Sequence, residues 1–404
     1  MVNRRRSAEA ALLIGCCILA SVLFSFDLIP FNNHEDPSLS SSSAPELRRY
    51  LMAKSERRAQ RRRAQRHMAS SSASTKTSRR AQRRIASSSA STSTKASTAK
   101  SSVRSWANNH LEPVTVTPDP SRETFLFWHI PKSGGTTTKA IYECLHQTLA
   151  SRAGSLPRFG HDKDKEIAAF HPWRDNGPTY VNVDTSSPEG ILHAEEMGLV
   201  PSGLADLIVT GYIGFAIEHL YDDAHKGRVL VTFRHPVERL VSKFYYLQTA
   251  DWERAYNPGW KKLSVLEFAE TRNNENNVYV KNLVGKKNNE KVTEKDLKIA
   301  MKTLRERCIV GLTNEMEESI HRYNVVMDID ESDKENKKCM DRFFGDHVEK
   351  RNANPHPIEK YESPAWNALA ERNELDIRLF HYVKKLFKEQ KEIIESYAES
   401  LAVE

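Results

Sequence analysis

Four short apolar runs stand out in the second two thirds of the chain: "TFLFWHI" (124–130), "DLIVTGYI" (206–213), "RVLVTFR" (228–234) and "CIVGLT" (308–313). Runs of this length, apolar nearly throughout, read as buried strands. Helical spacing follows three of them, over 137–149, over 236–248 with Leu240, Phe244 and Leu247 on one face, and over 314–323. Strand–helix alternation predicts an α/β fold, a parallel sheet flanked by helices of P-loop-like type. Ligands in such sheets sit beyond the carboxyl ends of the strands, at helix N-termini. Residues 150–205 show little periodicity and read as a long loop, functional or partly mobile. Near the C-terminus Ser363 reads as an N-cap with Pro364 at the first helical position. Asn373 reads as the cap of a second helix, with Leu375, Leu379, Tyr382, Val383 and Leu386 on its core face.

The N-terminal third has a different pattern. Arg4–Arg6 precede an uncharged run, 10–26, of 17 residues, at the short edge of what spans a bilayer. Its flanking charges predict a single-pass anchor with the N-terminus in the cytoplasm; a cleaved signal is the alternative. Residues 38–105 are Ser/Arg-rich low complexity, with "RRAQRR" twice, and lack the apolar residues needed to offset the entropy of ordering. Three readings stay open for this stretch: a stem behind a membrane anchor, a transit region, or a basic nucleic-acid or nuclear-import segment. The expected organisation is tail and anchor over 1–31, disordered stem over 32–122 and a folded domain over 123–404.

Charge follows the same division. Residues 32–122 hold 18 Lys/Arg against 6 Asp/Glu, and residues 1–31 are at +1, which leaves 123–404 at −6 of the chain's +7. The basic character therefore belongs to the N-terminal third, and an acidic domain argues against nucleic acid as its partner. The chain has five cysteines. Cys16 and Cys17 lie in the apolar run. Cys144, Cys308 and Cys339 show no zinc spacing, and leave open one disulfide with a spare thiol or three buried thiols.

Two segments carry candidate chemistry. In "HIPKSGGTTT" (129–138), Gly134 and Gly135 let the backbone approach a ligand closely. The amides of 133–138 would face an anion at the positive end of the next helix. Ser133, Thr136, Thr137 and Thr138 add hydroxyls, and Lys132 adds a point charge on the strand side. The nucleotide loop G-x-x-x-x-G-K-[ST] is absent, because the lysine precedes the glycines. In "VLVTFRHPVERLVSKFYY", Arg234 ends a strand and Ser242 lies eight residues on, within the following helix. Arginine offers a rigid donor fork suited to phosphate. Two such segments imply a ligand with two separated phosphate groups.

With both segments in view, the chain resembles the PAPS-dependent sulfotransferases, in particular the Golgi carbohydrate branch with the heparan sulfate 2-O- and 6-O-sulfotransferases. Pro131–Thr138 is similar to the family's 5′-phosphosulfate loop, and Arg234 with Ser242 to its 3′-phosphate pair. "NNVYVKNLVG" (276–285), "VGLTNEMEESI" (310–320) and "NELDIRLFHYVKKLF" (373–387) look like later family segments in the same order, so the resemblance covers roughly 124–390. It implies the sulfotransferase fold and a PAPS co-substrate held by Lys132, Ser133, Gly134, Gly135, Thr136, Thr137, Thr138, Arg234 and Ser242. It also implies catalysis at the bridging oxygen by Lys132, no metal, a carbohydrate acceptor and a Golgi membrane location with type II topology. Secretory or plastid routing behind a cleaved signal, a PAPS-binding protein without transfer, and a nucleotide-dependent kinase are the alternatives.

The resemblance fails at the proton acceptor. The position where relatives carry a histidine falls on Tyr212, a poor base at neutral pH. His219, Glu218, His193 and Glu195 are candidates of suitable type, and none is assigned; His129, within its strand run, reads as structural. For a polyanionic acceptor the available cations are Lys261–Lys262, Lys286–Lys287 and Lys350–Arg351.

Overall fold

A computed structural model describes residues 110–161, 163–172, 177–253, 255–271, 275–345 and 355–401. These residues divide between two units; the larger takes in 110–245 and 262–401, holds the sheet, and is the one described below, whereas 246–261 belongs to the other. The expected anchor at 10–26 and the low-complexity stretch 38–105 lie outside the described residues. Among the described residues no helix is long and apolar enough to cross a membrane.

Seven strands build one sheet: β1 (Thr124–Trp128), β2 (Thr148–Ala150), β3 (Ala169–Phe170), β4 (Thr179–Val181), β5 (Leu207–Thr210), β6 (Gly227–Phe233) and β7 (Cys308–Leu312), in the order β3-β4-β2-β5-β1-β6-β7. All neighbours are parallel except β3 with β4. The helices are α1 (Gly135–Cys144), α2 (Pro188–Glu196), α3 (Leu199–Ser202), α4 (Ile213–Leu220), α5 (Pro236–Tyr246), α6 (Val265–Glu270), α7 (Val278–Leu283), α8 (Glu294–Arg307), α9 (Met316–Val326), α10 (Lys334–Phe344), α11 (Pro364–Arg372) and α12 (Glu374–Leu401).

The four expected strands are β1, β5, β6 and β7, and every residue of each is buried. Helices on both faces explain why these strands are apolar without alternation. Alternate side chains of β1 still point to opposite faces. Leu126 and Trp128 join a core with α4, α7, α8 and α12, while Phe125 and Phe127 join a second with α1, α9 and α10.

Three expectations change. The helix expected over 137–149 stops at Cys144, and Leu149 lies in β2. Residues 150–205 are not one structureless loop. They hold β3, β4, α2 and α3, elements too short to leave a periodic signal. The domain does not begin at 123: Leu111 and Val114 are buried, and Leu111 bridges to Gly227 ahead of β1. Composition assigned 110–122 to the stem because its few apolar residues are scattered. At the C-terminus Ser363 Oγ accepts from the Trp366 amide as expected of a cap, with Pro364 at the first position. Asn373 stands at the N-cap position of α12, its carbonyl accepting from the Ile377 amide, while its side chain accepts from the Asn277 amide and donates to the Leu369 carbonyl.

Cys144 and Cys339 form a disulfide, and Cys308 is a buried free thiol. The bond joins the end of α1 to α10 across 195 residues of sequence. Closing so long a loop removes much freedom from the unfolded chain. Cys144→Ser with Cys339→Ser is expected to lower the unfolding free energy by about 2–4 kcal/mol. Urea unfolding of wild type with and without reductant checks this, and superimposable curves would refute it.

Candidate functional site

β1 pairs with β5 on one side and β6 on the other, with Trp128 opposite Thr210 and Val231. The three strands end together, so the segments that follow them meet at one edge. After β1 the chain turns through Ile130–Gly134 and enters α1. The Ser133 amide donates to the Ile130 carbonyl at 3.2 Å, which closes the turn. Lys132 sits in the left-handed region at φ 67°, as does Gly134 at φ 81°. A side-chain residue at positive φ is uncommon and is held there by its surroundings.

Each glycine has its own reason. A Cβ on Gly134 would lie 2.2 Å from Met316 Cε, and one on Gly135 would lie 1.9 Å from His129 Cδ2. His129 thus packs against the start of α1. Gly134 is the N-cap of α1, and no side chain caps the helix. The Thr138 amide and hydroxyl both bond the Gly134 carbonyl, at 3.0 and 3.2 Å. The first amides of a helix have no intrahelical acceptor. The donors that remain for a ligand are those of 134–137, narrower than the 133–138 range expected. Of the hydroxyls, Thr136 is exposed, Thr137 half-buried, and Thr138 fully buried and engaged with the backbone.

Arg234 follows β6 and lies beside this loop, its Nη1 donating to the Lys132 carbonyl at 3.5 Å. Its Nε is 3.6 Å from Glu238 Oε2. The structure therefore brings together Lys132 and Arg234, the two cations expected to hold separate phosphates. Ser242 is buried on α5, six residues past the helix start, about 9 Å along the axis. Next to Arg234, the His235 ring stacks on Trp366 at 5.0 Å, and burial pushes its pKa below the usual imidazole value.

Behind these residues is a buried polar cluster that the sequence did not reveal. Tyr279 of α7 is fully buried and donates from Oη to the Arg234 carbonyl at 2.9 Å. The Ser133 hydroxyl is also buried, and meets no hydrogen-bond partner among the described residues. Arg239 places its guanidinium 5.4 Å from the Tyr279 ring centroid and donates to Glu275 Oε2 at 2.7 Å. Lys243 contacts the other Glu275 oxygen. Burial alone would raise the Glu275 pKa, but Arg239 and Lys243 outweigh it and hold the carboxyl at about 2. Asp376 of α12 accepts from the Tyr279 and Val280 amides, both at 2.9 Å, and so anchors the start of α7. Burial pushes the Asp376 pKa up to about 6, against the pull of those two amides. Asn277, just before α7, is left-handed at φ 46°. The sequence had singled out 276–285 and 373–387, which hold Tyr279 and Asp376, but nothing local marked either residue as more than core.

Of the candidates at the proton-acceptor position, Tyr212 alone lies at this edge. Tyr212 follows β5, is exposed, and its amide donates to Thr210 Oγ1 at 3.0 Å. His219 lies seven residues on, about 10 Å further along α4, in a 2.8 Å contact with Glu195 of α2. His193 is exposed on α2, 3.9 Å from Glu196. Of the cations considered for an acceptor, Lys286 is paired with Asp296 at 2.7 Å, Lys261 and Lys262 are exposed, and Lys350–Arg351 lies outside the described residues. No protein-family model matches the chain, and no curated protein matches it.

Proposed function

We propose that this chain is a PAPS-dependent sulfotransferase that moves a sulfuryl group to a carbohydrate hydroxyl, on a sulfotransferase-type version of the α/β sheet. The observation that carries the reading is the Lys132 loop, an uncapped helix N-terminus with a lysine before its glycines, set 3.5 Å from the Arg234 fork. Backbone amides and a helix dipole suit a phosphate. A cation on the strand side suits the bridging oxygen of a phosphosulfate. In the proposed reaction the acceptor oxygen attacks sulfur, the bond from sulfur to the bridging oxygen breaks, and 3′-phosphoadenosine 5′-phosphate (PAP) leaves. Lys132 stabilises the charge that develops on that oxygen. The acceptor proton passes to a base not yet assigned. Ser133, Gly134, Gly135, Thr136, Thr137 and Thr138 belong to the same cradle, and Arg234 with Ser242 is assigned to the 3′-phosphate.

The Cys144–Cys339 disulfide supports a secretory location, since such bonds persist in oxidising compartments. A Golgi membrane protein with type II topology accords with it and with the apolar run at 10–26. Tyr212, exposed where relatives would present an imidazole, favours one second reading: a PAP-binding protein without transfer.

PAP at 100 times its dissociation constant should stabilise the protein by about 2.7 kcal/mol. Arg234→Ala should weaken PAP binding about 10- to 100-fold, the worth of a charged hydrogen bond. Thermal shift and titration calorimetry measure both, and a wild type indifferent to PAP ends the proposal. Transfer from labelled PAPS to a glycan panel then separates enzyme from binder.

A further inference from the structure

Resting on that reading, we propose that Tyr279 is a positioning residue for the anion site, coupling the loop after β1 to the segment after β6. Its hydroxyl donates to the Arg234 carbonyl at 2.9 Å, and Arg234 Nη1 in turn donates to the Lys132 carbonyl at 3.5 Å, so the phenol holds the residue that joins the two halves of the site. Two neighbours hold the ring. Phe233 meets it edge-on at 5.1 Å, and the Arg239 guanidinium lies 5.4 Å from its centroid. Its backbone is held as well, because Asp376 accepts from the amides of Tyr279 and Val280. Asn277 fixes the approach: its side-chain oxygen accepts from the Asp376 amide at 3.0 Å, and its own amide donates to Asn373. α12 thereby sets α7, α7 sets Tyr279, and Tyr279 sets the carbonyl from which the Arg234 side chain departs. A cation that must meet a phosphate gains affinity when its backbone is already in place.

Tyr279→Phe removes one oxygen and keeps the ring. It is expected to raise the PAP dissociation constant about 3- to 10-fold, the worth of one hydrogen bond, with the loss in KM for PAPS rather than in kcat. Asp376→Asn, which keeps an acceptor for only one of the two amides, should move affinity in the same direction. Tyr323→Phe is the control for a merely structural role. That hydroxyl is also buried, 3.1 Å from Thr232 Oγ1 on β6, but does not touch the loop or Arg234. It should lower the melting temperature and leave PAP affinity at the wild-type value. Calorimetric titration of the folded proteins reads all three. Unchanged affinity in Tyr279→Phe beside a wild type that binds PAP overturns this inference alone. Equal weakening in Tyr323→Phe also overturns it. A wild type that does not bind PAP overturns the functional reading and this inference with it.

Discussion

Lys132→Ala is expected to lower kcat for sulfuryl transfer by about 10²–10³-fold, the usual cost of losing one preorganised donor to developing charge. PAP affinity should fall much less, because PAP lacks the sulfate whose departure the lysine assists. Lys132 also occupies a left-handed backbone position at φ 67°, which gives a control that separates charge from conformation. Lys132→Gly removes the amine but relieves a backbone cost of about 1–2 kcal/mol. It should therefore be more stable than Lys132→Ala and equally inactive. Single-turnover transfer from labelled PAPS, read beside thermal unfolding, checks both parts. Lys132→Gly with near wild-type turnover would show that the lysine matters only for loop shape, and the assignment would be withdrawn.

Glu123→Ala is expected to cost about 3–5 kcal/mol of stability, the largest effect anticipated from a residue remote from the site. The Arg228 side chain is fully buried on β6, where Nε donates to Glu123 Oε2 at 2.6 Å and Nη2 to Oε1 at 2.9 Å. Its remaining donors hold the Pro113 and Val116 carbonyls, tying the segment before β1 to the sheet. Removing the carboxylate strands a buried guanidinium, whereas removing both charges does not. Glu123→Leu with Arg228→Met should recover most of the loss. Urea unfolding measures each variant. A single-mutant loss below about 1 kcal/mol would show that water reaches the guanidinium and solvates it.

The features legible in the sequence are local ones. The central strands were legible because a strand covered on both faces is apolar at every position. Ser363 and Pro364 announced a helix start because capping is a property of adjacent residues. The sheet's other side was not legible. β2, β3 and β4 have two or three residues each, and their neighbours rather than their own pattern make them strands. The opening of the domain at 110–122 was missed for a related reason, since its anchoring depends on the distant Arg228.

By itself, then, the sequence determined the α/β class, the positions of β1, β5, β6 and β7, and a glycine-rich turn with Lys132 on its strand side. Only the tertiary structure decided that β1 lies between β5 and β6, which sets Arg234 beside Lys132 across 102 residues. It alone paired Cys144 with Cys339 and left Cys308 free. It also decided that Tyr279, from a third segment, bonds the Arg234 carbonyl. The physical reason is common to all of these. Burial and backbone preference act on neighbouring residues and leave a period in the sequence, whereas strand order, disulfide partners and buried hydrogen bonds join residues whose spacing carries no period.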